Sequence, residues 1–310
     1  MQTKILVTGG LGNVGGSLVR KLVSNPMNYV VIVDNLITGN LKNLPVKTTL
    51  NNWKFIKADV NDMLDITPIL CTTNFDFVFH YAALVGVKRT LDNPLLVLND
   101  INGFKNIFNL CKSIGVKRVF FSSSSEVYGE PVEIPQREDT TPLNSRLPYS
   151  IVKNVGESFL KTYNSEFNLD YTILRFFNTY GPLQTNDFVI TKFLLQALNR
   201  NDITIYGDGS QTRTFCHIED NICATENLLY HDLGINEVLN FGSDEEITIL
   251  DLAKLIVKTT KSSSSIIHLP PLKEGDMTRR KPDNSRMIKY LGRPLLSLEE
   301  GINKMILELS

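Results

Sequence analysis

The sequence predicts an α/β protein built on a doubly wound parallel sheet, with a smaller and looser lobe drawn mostly from its C-terminal third. Two patterns carry that prediction. Short β-branched runs alternate with helical stretches through the first half, an order that demands parallel pairing through crossover helices. After about residue 178 the rhythm changes, and "GPLQ", "YGDGSQ", "HLPPLKEGD" and "RRKPDN" punctuate the chain with turns.

In chain order, buried strands are expected at 4–10 ("KILVTGG"), 30–35, 53–59, 75–83, 116–123 and 170–178. Helices are expected over 13–25, 62–70, 93–114 and 149–167. Segments 216–232 and 237–243 read as one more helix and strand that return to the sheet. The first domain is therefore 1–177 with 216–243, and the second lobe is 178–215 with 244–310. The run "KSSSSIIH" (261–268) reads as a loop.

Bulk properties exclude several classes. The 310 residues are 42% hydrophobic and 21% charged, which suits a globular chain with a sizeable core. Lys+Arg 32 against Asp+Glu 33 leaves no basic surplus, so nucleic acid is not an expected partner. Cys71, Cys111, Cys216 and Cys223 lack metal-ligand spacing and read as free thiols of a reducing compartment, with no metal. The opening "MQTKILVTGG" is not a secretory signal, and no apolar run reaches the ~18 residues of a membrane span. A cytoplasmic location without membrane insertion is expected.

"ILVTGGLGNVGGSLVRKL" places Gly9, Gly12 and Gly15 at a strand-to-helix junction. The first glycine makes the tight turn, the second admits a pyrophosphate to the backbone N–H groups, and the third lets helix pack on strand. Asp34 ends the next strand, where a carboxylate accepts from adenosine ribose hydroxyls and repels a 2′-phosphate. NAD is therefore expected rather than NADP. Asp59, after the third strand, is a candidate for the adenine edge.

"RLPYSIVKNVGESFLKTY" sets Tyr149 and Lys153 at i, i+4 on a helix, so both project from one face. A free phenol titrates near ~10 and is no base at neutral pH. A neighbouring ammonium and an oxidised nicotinamide ring are expected to lower it, so that Tyr149 can take a proton from a substrate hydroxyl. The serine run of "FFSSSSEVYG" (120–129) then reads as a catalytic strand end that orients the substrate oxygen, not as a linker.

Together, GxxGxxG, Asp34, "SSSSEVYG", "YSIVK", "RFFNTYGP" and "GDGSQTRTF" resemble the extended short-chain dehydrogenase/reductase superfamily, and within it the NAD-dependent sugar-nucleotide epimerases, dehydratases and decarboxylases. The resemblance covers essentially the whole chain and implies a Rossmann-like sheet. It implies that Ser124, Tyr149 and Lys153 are catalytic, with Glu126 beside them. It implies cofactor contacts from Asn13, Val14, Asn35, Val60, Ala82, Ala83, Ser122 and Phe176. It implies substrate contacts from Ser124, Asn178, Arg213, Asp276 and Arg280, and a homodimer through a four-helix bundle of the segments near 99–112 and 149–165.

These enzymes share oxidation at sugar C4. A 4-epimerase then returns the hydride to the other face; a 4,6-dehydratase needs an acid where this chain has Ser125. A uronate decarboxylase resembles "SEVYG" with a later "RRKPD" arginine, here Arg279 or Arg280. The "YSIVK" stretch looks more like an epimerase. UDP-hexose 4-epimerisation is the first expectation, UDP-glucuronate decarboxylation the alternative and dehydration third. A non-catalytic NAD-binding scaffold is the rival from another class. His80, His217 and Trp53 read as packing residues.

Overall fold

The computed structural model describes residues 2–47, 49–270 and 280–309, apart from the side chains of Val87 and Lys88. The chain forms β1 (Thr3–Thr8), β2 (Asn28–Asp34), β3 (Trp53–Lys57), β4 (Phe77–His80), β5 (Arg118–Ser124) and β6 (Asp170–Phe176). Four short strands follow, β7 (Thr179–Tyr180), β8 (Ile203–Tyr206), β9 (Thr212–Thr214) and β10 (Cys216–His217), and then β11 (Glu237–Phe241), β12 (Glu246–Thr248) and β13 (Ile266–Leu269). The central sheet has the order β11-β6-β5-β4-β1-β2-β3, parallel throughout. Winding reverses between β1 and β4, and the crevice beyond their carboxyl ends is where open α/β sheets bind ligands.

Helices α1 (Asn13–Val23), α2 (Met63–Thr72), α3 (Val87–Asp92), α4 (Pro94–Ile114) and α5 (Pro148–Phe167) connect the sheet strands. The strands read as continuous apolar runs because both faces are covered. Phe121 packs with α2, α4 and α5 on one side, and its neighbour Phe120 packs with α1 and the later α7 (Ile218–Tyr230) on the other. Alternation of side chains along β5 makes that division unavoidable.

A third core is built from α6 (Val189–Leu198), β8, α8 (Ile249–Thr260) and α10 (Leu298–Leu309). One helix departs from the expected division: α9 (Ser285–Leu291) buries Met287 and Leu291 in the core shared by α1 and α7. A second departure is the "KSSSSIIH" stretch. Its serines are irregular, but Ile266–Leu269 forms β13, which pairs in parallel with β8. Its β-branched pair finds an open strand edge, which local composition could not show.

The four cysteines are free, as expected. His80 is buried among Phe104, Phe108 and Phe121 with Nδ1 2.8 Å from Thr8 Oγ1. Burial and the Lys153 charge pull it down to about 3, so it stays neutral. His217 is also buried, and its Nδ1 accepts from the Glu219 N–H at the start of α7. Among the described residues, no helix is long and apolar enough to cross a membrane.

Candidate active site

A cleft of about 1090 Å³ lies at the carboxyl ends of the strands, bounded on its other side by Pro182–Ile190, Phe215 and Arg280. At one end is the glycine turn. Gly9 has φ +66°, and a Cβ there would sit 2.6 Å from the Ala82 nitrogen. A Cβ on Gly15 would sit 2.2 Å from the Gly9 carbonyl oxygen. Backbone therefore occupies the space that any side chain would need. Gly12 caps α1 with no side chain over the first turn and no acidic residue within it, leaving N–H groups directed at the cleft. An anion is the partner that such a helix start stabilises. Asp34 also lines the cleft, its carboxylate accepting from Leu11 N at 3.0 Å and Leu36 N at 2.8 Å. These features fit the pyrophosphate and adenosine ribose of NAD. Gly12 and Asn13 would hold the first, and Asp34 the second.

At the other end, β5 runs out in serines, each with a separate task. The Ser122 carbonyl accepts from Lys153 Nζ at 2.6 Å. The Ser123 hydroxyl donates to Glu157 Oε1 at 2.6 Å beneath the site. Ser124 Oγ accepts from the Glu126 N–H at 3.2 Å, starting a 3-10 turn over Ser125–Tyr128, and hydrogen-bonds Tyr149. Gly129, at φ +62°, ends that turn. The turn swings Glu126 toward Arg280, whose Nη2 lies 2.8 Å from Glu126 Oε1, and Arg280 Nη1 lies 3.5 Å from Ser125 Oγ. Helix α5 opens with Pro148, which needs no N–H at the first position, so Tyr149 and Lys153 fall on its first two turns.

The electrostatics of the protein groups by themselves run against the phenolate. Burial and then the Glu126 carboxylate hold the Tyr149 phenol above its ordinary range; the Ser124 hydrogen bond and Arg280 act the other way. Burial pulls Lys153 down to about 8, against the Asp100 carboxylate. Its Nζ lies 5.8 Å from the Tyr149 ring centroid. The protein groups alone thus keep Tyr149 protonated, and activation requires an additional positive charge in the cleft.

Of the residues singled out from the sequence, Gly9, Gly12, Asn13, Val14, Gly15, Asp34, Ala83, Ser122, Ser124, Glu126, Tyr149, Phe176, Asn178 and Arg280 line this one cleft. Asn35, Asp59, Val60, Ala82, Lys153 and Arg213 are not among its lining. Asn35 and Asp59 bond each other, Nδ2 to Oδ2 at 3.1 Å, and Arg213 lies in β9, paired with β12. Lys273, Asp276 and Arg279 lie outside the described residues. Sequence reasoning missed Arg89 and Asp187, which meet at 3.8 Å between α3 and the segment before α6 in the cleft wall. No spacing connects positions 98 residues apart (187 − 89).

A parallel sheet with a glycine turn at the start of α1, a carboxylate at the end of β2 and a Ser, Tyr, Lys group at the end of β5 is the arrangement expected of a dinucleotide-dependent enzyme. Residues 5–242 match the NAD dependent epimerase/dehydratase family, and the chain belongs to that family. It is 35% identical to UDP-glucuronic acid decarboxylase 1 of Danio rerio, over 98% of this chain and 72% of that protein. It is 34% identical to a putative UDP-glucose 4-epimerase of Methanocaldococcus jannaschii, over 97% of each. The solved UDP-glucose 4-epimerase of Thermotoga maritima, bound to UDP-glucose, superposes with a TM-score of 0.92 at 31% identity, covering 99% and 98% of the two chains. The protein is an NAD-dependent enzyme of this kind.

Proposed function

We propose that the chain oxidises a UDP-linked hexuronate at C4 and releases its C5 carboxylate as CO₂. The observation that carries this reading is the Arg280–Glu126 pair beside Ser124 and Tyr149. A 4-epimerase needs no acid or base beyond the first proton transfer. In such an enzyme Glu126 would only hinder ionisation of Tyr149. In a decarboxylase both charges have work: Arg280 can exchange Glu126 for the substrate carboxylate, and Glu126 can return a proton to C5.

Tyr149 takes the proton of the C4 hydroxyl, oriented by Ser124. Bound NAD supplies the acceptor for the C4 hydride and, at the end, the donor that returns it. The ketone at C4 lies β to the carboxylate. The bond from C5 to the carboxylate carbon then breaks, its electron pair passing into the C4 enolate, with Ser124 and protonated Tyr149 donating to that oxygen. Glu126, released from Arg280 by the substrate carboxylate, takes a proton from water and passes it to C5, which restores the ketone. Asn178 and Arg213 are assigned to the nucleotide diphosphate. Two copies are assigned to pair through α4 and α5, where Leu95, Leu98, Ile151 and Phe167 are exposed.

This ordering reverses the first expectation from sequence. The second reading, 4-epimerisation, is favoured by the likeness to the Methanocaldococcus and Thermotoga proteins over nearly their whole lengths. Incubating the enzyme and NAD separately with UDP-glucuronate, UDP-glucose and UDP-N-acetylglucosamine, with products read by mass spectrometry and proton NMR, separates the two. Loss of CO₂ from the glucuronate is expected. A new sugar of unchanged mass from either hexose, with the glucuronate intact, would establish the second reading instead.

A further inference from the structure

Beneath the cleft, buried polar side chains run in an unbroken line that the chemistry above does not use. Glu157, one turn beyond Lys153 on α5, is almost fully buried and accepts from Arg175 through two bonds, Nε to Oε1 at 2.9 Å and Nη2 to Oε2 at 2.7 Å. Ser123 donates to the same carboxylate. Arg175, on β6 immediately before Phe176, extends Nη1 to the Tyr128 hydroxyl at 2.7 Å. That hydroxyl in turn donates to Asn240 Oδ1 of β11 at 2.7 Å. Asn240 Nδ2 donates to the Gln136 carbonyl at 2.9 Å and to the Asp283 carbonyl at 3.3 Å. Gln136 clamps the stretch after Arg280 through its backbone, accepting from Asp283 N and donating to the Lys281 carbonyl, each at 2.8 Å.

One end of this line therefore fixes the helix of Tyr149 and Lys153, and the other fixes the stretch that carries Arg280. We infer that Arg175, Tyr128 and Asn240 are positioning residues that hold the oxidation apparatus and Arg280 in register across the cleft floor. The inference rests on the functional reading above, in which Arg280 serves a step after oxidation. Tyr128 is the joint at which the two halves meet. Its phenol is buried and pushed up to about 12 by that burial, so it remains the neutral donor that Asn240 needs. From Glu157 to Asn240 each side chain of the line is bonded to the next, and bidentate Arg–carboxylate geometry makes the α5 end rigid. Losing the joint leaves Asn240 Oδ1 without its donor and loosens its hold on Gln136 and the Arg280 stretch, while the Glu157–Arg175 pair keeps Ser123 and α5 in place.

The test is Tyr128→Phe, which keeps the ring and removes only the hydroxyl. Three quantities are measured: hydrogen exchange at the Gln136 and Asp283 amides, formation of reduced nicotinamide on mixing with UDP-glucuronate, and final product. Faster exchange, unchanged oxidation and KM, and product formation reduced by about 10²-fold with keto-sugar accumulating are expected. Unchanged exchange overturns the inference. So does oxidation falling together with product, which marks a merely structural role. Asn240→Asp, which keeps the acceptor and loses both donors, must reproduce the same division. If the wild-type enzyme turns over no sugar nucleotide, the functional reading fails by itself, and the exchange measurement still decides whether the link exists.

Discussion

Tyr149 sits between opposing influences. Glu126 disfavours its phenolate, whereas Ser124 and Arg280 favour it. Replacing Glu126 by Gln removes the negative charge and therefore lowers the Tyr149 pKa. A base of lower pKa is deprotonated at lower pH, so the rising limb of the oxidation rate must move toward acid in Glu126→Gln, while CO₂ release falls. Stopped-flow detection of reduced nicotinamide across pH measures the limb directly. A limb that stays in place would mean that Glu126 does not act on Tyr149. The sequence placed Glu126 and Arg280 together only through resemblance. Their contact at 2.8 Å spans 154 positions (280 − 126), a distance that no local pattern encodes.

At the scale of elements, the junction of β1 and α1 is set by backbone contact. A methyl on Gly15 would meet the Gly9 carbonyl at 2.2 Å, and that carbonyl is part of the turn itself. Gly15→Ala must push α1 away from the sheet, costing about 1–3 kcal/mol as other overpacked sites do. It must also disturb the cradle at the helix start. Urea denaturation and calorimetric NAD binding should therefore weaken together; a variant unchanged in both would show that the helix can shift freely. This requirement was legible in the sequence, because a glycine triplet at a strand-to-helix junction has few other physical explanations. The same holds for β5 and α5. The apolar run ending in serines, and the i, i+4 spacing of Tyr149 and Lys153, needed only the periods of strand and helix. The pairing of β13 with β8 was not legible, since its edge partner lies 63 residues away (266 − 203).

For the molecule as a whole, pH dependence follows from histidines buried without charge. His80 titrates near 3 when folded and near its ordinary 6.5 when unfolded. Its folded pKa is depressed, so the unfolded chain binds the extra proton, and stability is lost as pH falls below 6.5. Between pH 7 and 5 that loss amounts to about 2 kcal/mol from His80 alone. The stability lost between the two pH values, read from denaturation curves, should be smaller in His80→Gln than in wild type by about 2 kcal/mol, with His217 common to both. Equal losses would mean that His80 is protonated in the folded protein.

The sequence by itself determined the strands of the central sheet and the longer helices between them, the glycine turn, the place of Asp34 at a strand end and the proximity of Tyr149 to Lys153, because each depends on neighbours within a turn, a strand or one βαβ unit. It also marked His80 as a core residue, since an apolar strand surrounds it. The tertiary structure decided what distant segments do to one another. It brought Arg280 to Glu126, set Arg89 against Asp187, and ran Glu157, Arg175, Tyr128 and Asn240 into one line under the site. It also decided the charge state of Tyr149, whose spacing from Lys153 promised activation. Desolvation depends on everything packed around an atom, and that is a property of the folded chain alone.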